Sequence, residues 1–202
     1  AGLWSIWWTV GGGIDSRFPY LYNVDILIPL QADLSHVSAF SIHTKEICGM
    51  DNFDFYSPTY FAFGDGQETR AGELVRRFGG SRVLLVYGGG SVKRNGAYDA
   101  VTASLQAEGI PYFELSGVQA NPRSGKVYEG IEICRRENVD FLLAVGGGSV
   151  IDTAKAIGFG VPYDGDFWDF FTGKAKIERT LPVGTVLTIS DAGSEGSDSC
   201  VI

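Results

Sequence analysis

From Thr59 onward the chain alternates short apolar runs with amphipathic stretches, and most boundaries carry glycine or proline. Thr59–Phe63 is an aromatic, β-prone run closed by Gly64, Asp65 and Gly66, residues that favour a turn. Ala71, Leu74, Val75 and Phe78 fall at i, i+3, i+4 and i+7, one face of a helix that Gly79-Gly80 stops. Arg82–Tyr87 (RVLLVY) predicts a strand with a continuous apolar centre. A helix of roughly four turns is expected to follow and to end at Glu108, with Gly109 as its stop. Ile110–Leu115 predicts another strand. Val127, Ile131 and Cys134 mark the buried face of a helix ended by Asn138. Val139–Val145 reads as a strand, apolar except for Asp140; Ser149–Gly158 reads as a helix and Pro182–Ile189 as a strand. Apolar strands separated by single helices form right-handed parallel crossovers buried on both faces. The expected fold is therefore α/β, a Rossmann-like open parallel sheet with flanking helices.

Residues 1–49 read differently. They hold three of the four tryptophans, both histidines (His36 and His43) and the run Gly11-Gly12-Gly13, without a sustained helical or strand period. Ile14-Asp15 follows the triplet where a phosphate loop would open a helix. The only methionine, Met50, stands where regular patterning begins. We expect 1–49 to be an unmatched leader, translated from sequence upstream of a natural start at Met50, with the purine-rich codons of Lys45-Glu46 as a ribosome-binding site read in frame. A genuine N-terminal extension is the alternative. On this division 50–202 is the folded domain, and the leader should pack poorly against it.

Composition narrows the function classes. A net charge of −8, with no lysine or arginine cluster, argues against nucleic-acid binding. No apolar run approaches the roughly 18–20 residues of a membrane span, and Ala1–Val10 lacks the basic start of a signal peptide. Cys48, Cys134 and Cys200 are odd in number and scattered, as in a reduced cytoplasmic protein.

The chemistry lies in two strand ends. Tyr87 is followed by Gly88-Gly89-Gly90-Ser91, and Val145 by Gly146-Gly147-Gly148-Ser149. A phosphate needs backbone N–H groups aimed at it with no Cβ in the way, and a helix N-terminus adds partial positive charge. Ser149 suits a helix cap or a phosphate contact, and Asp152 suits the first helical turn. Triple glycines also serve simple tight turns, but two such loops after two apolar strands favour the phosphate reading. Neither ends in Gly-Lys-Ser/Thr, and neither spells GxGxxG.

The run Ala144–Ile157, AVGGGSVIDTAKAI, resembles the GGGSxxDxxK signature of the iron-containing (group III) alcohol dehydrogenases. Phe63–Gly66, Asn121-Pro122 and Gly193-Ser194-Glu195 follow that family's order, and Tyr87–Gly96, YGGGSVKRNG, resembles its butanol dehydrogenase and aldehyde reductase branch. The resemblance covers 50–202 and none of 1–49. It implies the N-terminal domain of a two-domain, dehydroquinate-synthase-like fold and a role in interconverting primary alcohols and aldehydes with NADP(H).

Carried over residue by residue, the pyrophosphate loop falls on Gly146, Gly147, Gly148 and Ser149, with Asp152 toward the nicotinamide and Thr188 as a cofactor contact. Gly88, Gly89, Gly90 and Ser91 would face the adenosine ribose. No aspartate guards that loop, and Lys93 and Arg94 follow it, which favours a 2′-phosphate and hence NADP(H). One departure is Ala192, where the family commonly has threonine.

The resemblance also implies Fe2+ or Zn2+ held by one aspartate and three histidines of a helical domain beyond residue 202, and a homodimer of the full-length form. His36 and His43 have no carboxylate at ligand spacing. The expectation is a cofactor-binding half that binds nucleotide without turnover and holds neither catalytic nor metal residues. The partner is a small alcohol or aldehyde rather than nucleic acid or membrane. A non-catalytic nucleotide-binding module or a decayed fragment is the alternative, and glycerol dehydrogenases and dehydroquinate synthases share the expected fold. Phe167, Trp168, Phe170 and Phe171 are expected to pack against the other domain or the cleft floor, with a local core as the alternative.

Overall fold

The computed structural model describes 59–202 in full and Trp4–Thr9 as backbone. The readings placed on Gly11–Gly13, His36, His43, Lys45-Glu46, Cys48 and Met50 lie outside the described residues. Six strands form one sheet, in the order β2-β1-β6-β5-β3-β4. They are β1 (Trp4–Thr9), β2 (Tyr60–Gly64), β3 (Val83–Tyr87), β4 (Tyr112–Leu115), β5 (Phe141–Gly146) and β6 (Val183–Leu187). β4, β3, β5 and β6 run parallel, which is the expected core. β1 runs antiparallel to both β2 and β6, so the sheet is mixed rather than purely parallel.

β1 corrects the expectation for the leader. Trp4–Thr9 was expected to pack poorly, yet it is hydrogen-bonded on both sides, with Ser5 opposite Phe63 and Leu187. Tryptophan, isoleucine and threonine all favour extended backbone. A strand paired on both flanks satisfies its N–H and C=O groups without an alternating pattern.

The helices are α1 (Ala71–Arg77), α2 (Ser91–Arg94), α3 (Ala97–Ala107), α4 (Ser124–Glu137), α5 (Gly148–Gly160) and α6 (Trp168–Phe171). The four-turn helix expected after β3 is broken into α2 and α3. Gly96 sits between them at φ 83°, left-handed backbone that costs a glycine little, and the Asn95 side chain accepts the Ala97 amide at 3.1 Å. Asn138 ends α4 in the same left-handed region, at φ 52°.

Strand alternation divides the core between the sheet's two faces. Leu84, Val86, Leu142 and Ala144 pack with Val127 and Ile131 of α4 and Ile151, Ala154 and Ile157 of α5. Val83, Leu85, Leu143 and Val145 pack with Leu74 and Val75 of α1 and Val101 and Leu105 of α3. Each fully buried aliphatic side chain contributes about 1.5–3 kcal/mol, so the two clusters account for the order of this region. Asp140, the polar exception in its strand, accepts the Ser81 and Arg82 amides at 2.9 and 2.8 Å at the opposite end from the glycine turns.

The expected aromatic group is split. Phe167 is buried in the core beside α5, while Trp168 and Phe171 stay part-exposed and stack on each other at 5.1 Å. Phe167 lies against Gly160, at the far end of α5 from its glycine turn, so the group does not floor the cleft. Among the described residues no helix is long and apolar enough to cross a membrane.

Candidate functional site

β3 and β5 are adjacent and parallel, so Gly88–Ser91 and Gly146–Ser149 leave the sheet side by side at its C-terminal edge, as the sequence predicts. Ligands of open α/β sheets bind at that edge. The two turns open onto helices of very different length. The second leads into the 13-residue α5, whereas the first leads into the single turn of α2. A long helix adds partial positive charge at its start; one turn does not make such a site.

At the second turn, the Val150 and Ile151 amides donate to the Gly147 carbonyl at 3.0 and 3.2 Å. The amides of Gly147, Gly148 and Ser149 precede those bonds, at the end of the helix where orphan donors face outward. The three glycines have different spatial requirements. A Cβ at Gly146 would lie 2.7 Å from a Val150 methyl, so that glycine is required by packing. A Cβ at Gly147 would make only ordinary contact with Ile189, at 3.7 Å. A Cβ at Gly148 would lie 3.3 Å from Ser194 Oγ.

Ser149 does not cap α5; Gly147 is the capping residue, with no side-chain bond. The Ser149 hydroxyl instead accepts the Asn121 amide at 3.2 Å, which brings the Asn121-Pro122 motif to the second turn. Thr188 is held here by its backbone, its amide donating to the Gly146 carbonyl at 2.9 Å.

Asp152 lies one residue beyond the first turn of α5 and is buried, with 8% of its surface exposed. Its Oδ2 accepts the Val201 amide at 3.2 Å, and its Oδ1 is buried without a hydrogen-bond partner. Asp152 therefore ties α5 to the end of the chain while keeping one acceptor in reserve.

The first turn is stitched to the loop after β4. Gly117 donates to the Gly88 carbonyl at 2.9 Å, and Val118 to the Tyr87 carbonyl at 3.3 Å. A Cβ at Gly88 would come within 3.1 Å of the Val118 carbonyl, whereas one at Gly89 would meet nothing within 4 Å. A cavity of about 260 Å3 is lined by Gly117 and Val118 of that loop and by Arg123 and Lys126, among others.

The two cations after the first turn have separate surroundings. Arg94 stands over the loop, its Nη1 3.0 Å from where a Gly90 Cβ would sit. Lys93 lies over the Tyr98 ring at 4.5 Å and the Tyr87 ring at 5.3 Å. Both tyrosines donate to Glu114 at the end of β4, Tyr87 at 2.5 Å and Tyr98 at 2.7 Å. These bonds hold the Glu114 carboxyl below the usual carboxylate range, with the Lys93 charge adding to the effect. Burial pushes the Tyr87 phenol up, and the bond to Glu114 pushes Tyr98 up. Glu114 and its tyrosines escape a motif search because they come from three separate elements.

Lys155 stands in the sequence motif without a role that the motif itself supplies. It is buried, with 9% of its surface exposed, and its ammonium donates to the carbonyls of Ser194, Ser197 at 2.7 Å and Ser199 at 2.9 Å. The segment it holds carries Ala192 and Ser194, the side chains facing Gly148. Burial lowers the Lys155 pKa, while the charge of Asp152 raises it.

Cys134 is a buried free thiol, pushed up to about 12 by burial, and Cys200 is pushed up to about 11. Among the described residues no group of three or more histidine, cysteine, aspartate or glutamate side chains could hold a metal ion.

The model of the family described as iron-containing alcohol dehydrogenase matches residues 58–202. The probable NADH-dependent butanol dehydrogenase 2 of Bacillus subtilis (strain 168) is 55% identical over 153 residues, covering 76% of this chain and 39% of that protein. The NADPH-dependent aldehyde reductase YqhD of Escherichia coli (strain K12) is 38% identical over 156 residues, with the same coverage of 76% and 39%. Among solved structures, the NADH-dependent butanol dehydrogenase A of Thermotoga maritima superposes with a TM-score of 0.67 at 46% identity, covering 71% of this chain and 36% of that one. The chain thus spans about 39% of the length of the curated relatives it matches. The family match extends over both glycine turns and over the segment that Lys155 holds, and by it the chain belongs to the iron-containing alcohol dehydrogenase family.

Proposed function

We propose that residues 50–202 are the nucleotide-binding half of a metal-dependent oxidoreductase that interconverts primary alcohols and aldehydes with NADP(H). The observation that carries this reading is the placement of two glycine turns side by side at the C-terminal ends of β3 and β5, the second at the start of a 13-residue helix. In this reading the amides of Gly147, Gly148 and Ser149 face the pyrophosphate, whose charge the start of α5 favours. The missing Cβ at Gly147, whose position only Ile189 borders, at 3.7 Å, supports that close approach. Asp152 and Thr188 line the way toward the nicotinamide, and the free Oδ1 of Asp152 is an acceptor for a buried N–H or O–H donor.

Gly88, Gly89, Gly90 and Ser91 take the adenosine ribose. The relatives divide on cofactor: the Bacillus protein is named NADH-dependent and YqhD NADPH-dependent. In this chain Gly89 leaves open space and Arg94 overhangs Gly90, a setting suited to a 2′-phosphate. Glu114, bonded to the Tyr87 that precedes the first turn, has both oxygens engaged by Tyr87 and Tyr98. That supports NADP(H).

When bound, the nicotinamide supplies the hydride carrier and the family's metal ion a Lewis acid. The residues described here bind and orient the cofactor. Calorimetry tests the reading: NADPH should bind more tightly than NADH, and equal affinities would overturn the cofactor assignment. No binding of either nucleotide would overturn the site.

A further inference from the structure

We propose that Lys155 is a positioning residue that sets the width of the nucleotide cleft, holding the segment 192–199 against the second glycine turn. The inference rests on the nucleotide-binding reading of that turn and adds to it a device which fixes the opposite wall.

α5 carries the glycine turn at its start and Lys155 seven residues later, about 10 Å along the same helix. A helix buried from Val150 to Gly160 is a rigid spacer. Its ammonium takes three backbone carbonyls, those of Ser194, Ser197 and Ser199, and approaches Ser197 Oγ at 3.4 Å. A point-like cation with rotatable donors suits carbonyls converging from one strap; a planar guanidinium does not. The strap has only a short 3-10 turn, Ser194–Gly196, of its own. Lys155 and the bond from the Val201 amide to Asp152 are the hydrogen bonds that tie it to α5.

The strap also reaches the cleft. Ser194 Oγ would lie 3.3 Å from a Cβ on Gly148, and Ala192 Cβ 3.8 Å, so displacing the strap displaces the wall that faces the pyrophosphate amides. Asp152, Glu195 and Asp198 place negative charge around the ammonium, which keeps a charged group tolerable in this buried position. Lys155 reaches the cofactor only through the strap.

The test measures NADPH affinity and backbone amide exchange in the wild-type chain and in Lys155→Met and Lys155→Arg. Methionine keeps the apolar stem and removes the donors. Lys155→Met should weaken NADPH binding at least tenfold and speed exchange across 193–201, leaving β3 and β5 protected as before. Lys155→Arg restores donors in a poorer geometry and should fall between. Met-variant affinity within twofold of wild type overturns the proposal. Should Lys155→Met not fold, the wild type decides: saturating NADPH should slow exchange in 193–201, and unchanged exchange there overturns the role. A wild-type chain that binds no NADPH defeats the nucleotide reading itself, a different result from wild-type binding that the variant retains.

Discussion

The carbonyl of Gly146 accepts the amide of Thr188 at 2.9 Å, so the second glycine turn and the exit from β6 leave the sheet as a hydrogen-bonded pair. That bond extends the β5–β6 ladder by one step, past Gly146 opposite Leu187. It puts the chain after β6 beside the turn before any side chain takes part. The cleft is built from backbone first, and side chains then hold its walls.

The absence of any close contact at Gly147 makes one substitution informative. Gly147→Val should leave the fold intact, because its Cβ meets only ordinary contacts and the backbone, at φ −99°, is ordinary for valine. A ligand approaching the amides would meet the new methyls. Losing about 3 kcal/mol of phosphate interaction corresponds to more than a hundredfold weaker binding. Calorimetry with NADPH checks this, and unchanged affinity would make the second loop a turn and nothing more.

At the first loop, Gly89→Asp should reverse the cofactor order. The new side chain enters open space, so melting should not change. Its carboxylate would repel a 2′-phosphate and accept hydrogen bonds from a 2′-hydroxyl. NADPH affinity should fall about tenfold or more, equivalent to at least about 1.4 kcal/mol, relative to NADH. A ratio that does not move would separate this loop from the ribose.

Gly72→Ala is the contrasting case, in which stability alone should suffer. A Cβ there would lie 2.4 Å from the Ser104 carbonyl oxygen, a backbone atom that no rotamer change can clear. The same Ser104 accepts the Gly72 amide at 2.9 Å, locking α1 against α3. Overpacking of this kind costs about 1–3 kcal/mol, or about 2–12 °C in melting temperature at this size. Thermal melts read it directly, and an unshifted transition would refute the close crossing.

The Glu114 cluster gives a pH signature. Its carboxyl lies below the usual value because Tyr87 and Tyr98 donate to the charged form. A lowered folded pKa stabilises the fold above the unfolded carboxylate value, about 4.3, and the stabilisation is lost as pH falls through the folded value. Tyr98→Phe removes one donor, so the Glu114 titration should move up toward the ordinary range. Carboxyl NMR tracks it, and an unmoved titration would mean that the hydroxyl bond is not formed in solution.

Both GGGS turns, the parallel core, the faces of α1 and α4 and the helical run of α5 were legible in the sequence. Local periodicity and glycine placement depend on nearest neighbours along the chain, and burial on both faces leaves an unbroken apolar run wherever it occurs. The break at Gly96 was less visible, since one left-handed residue changes no pattern around it. The antiparallel seat of Trp4–Thr9 was invisible, because the partners of a six-residue run lie tens of residues away or more.

The site divides in the same way. The turn at Gly147 and Gly148 was legible from the glycines themselves, since its place after an apolar strand needs no distant partner. Ser149 was expected to cap its helix or contact a phosphate; it does not cap, and its hydroxyl accepts the Asn121 amide. Lys155 stood inside the most recognisable motif, yet its partners are three carbonyls some forty residues on, and a carbonyl carries no residue identity to read. Glu114 gained its two tyrosines only when β3, β4 and α3 came together. The sequence by itself determined where the two glycine turns fall and that both end apolar strands. Tertiary structure decided what stands across the cleft from the second turn, since that wall is held by hydrogen bonds between segments which no local pattern connects.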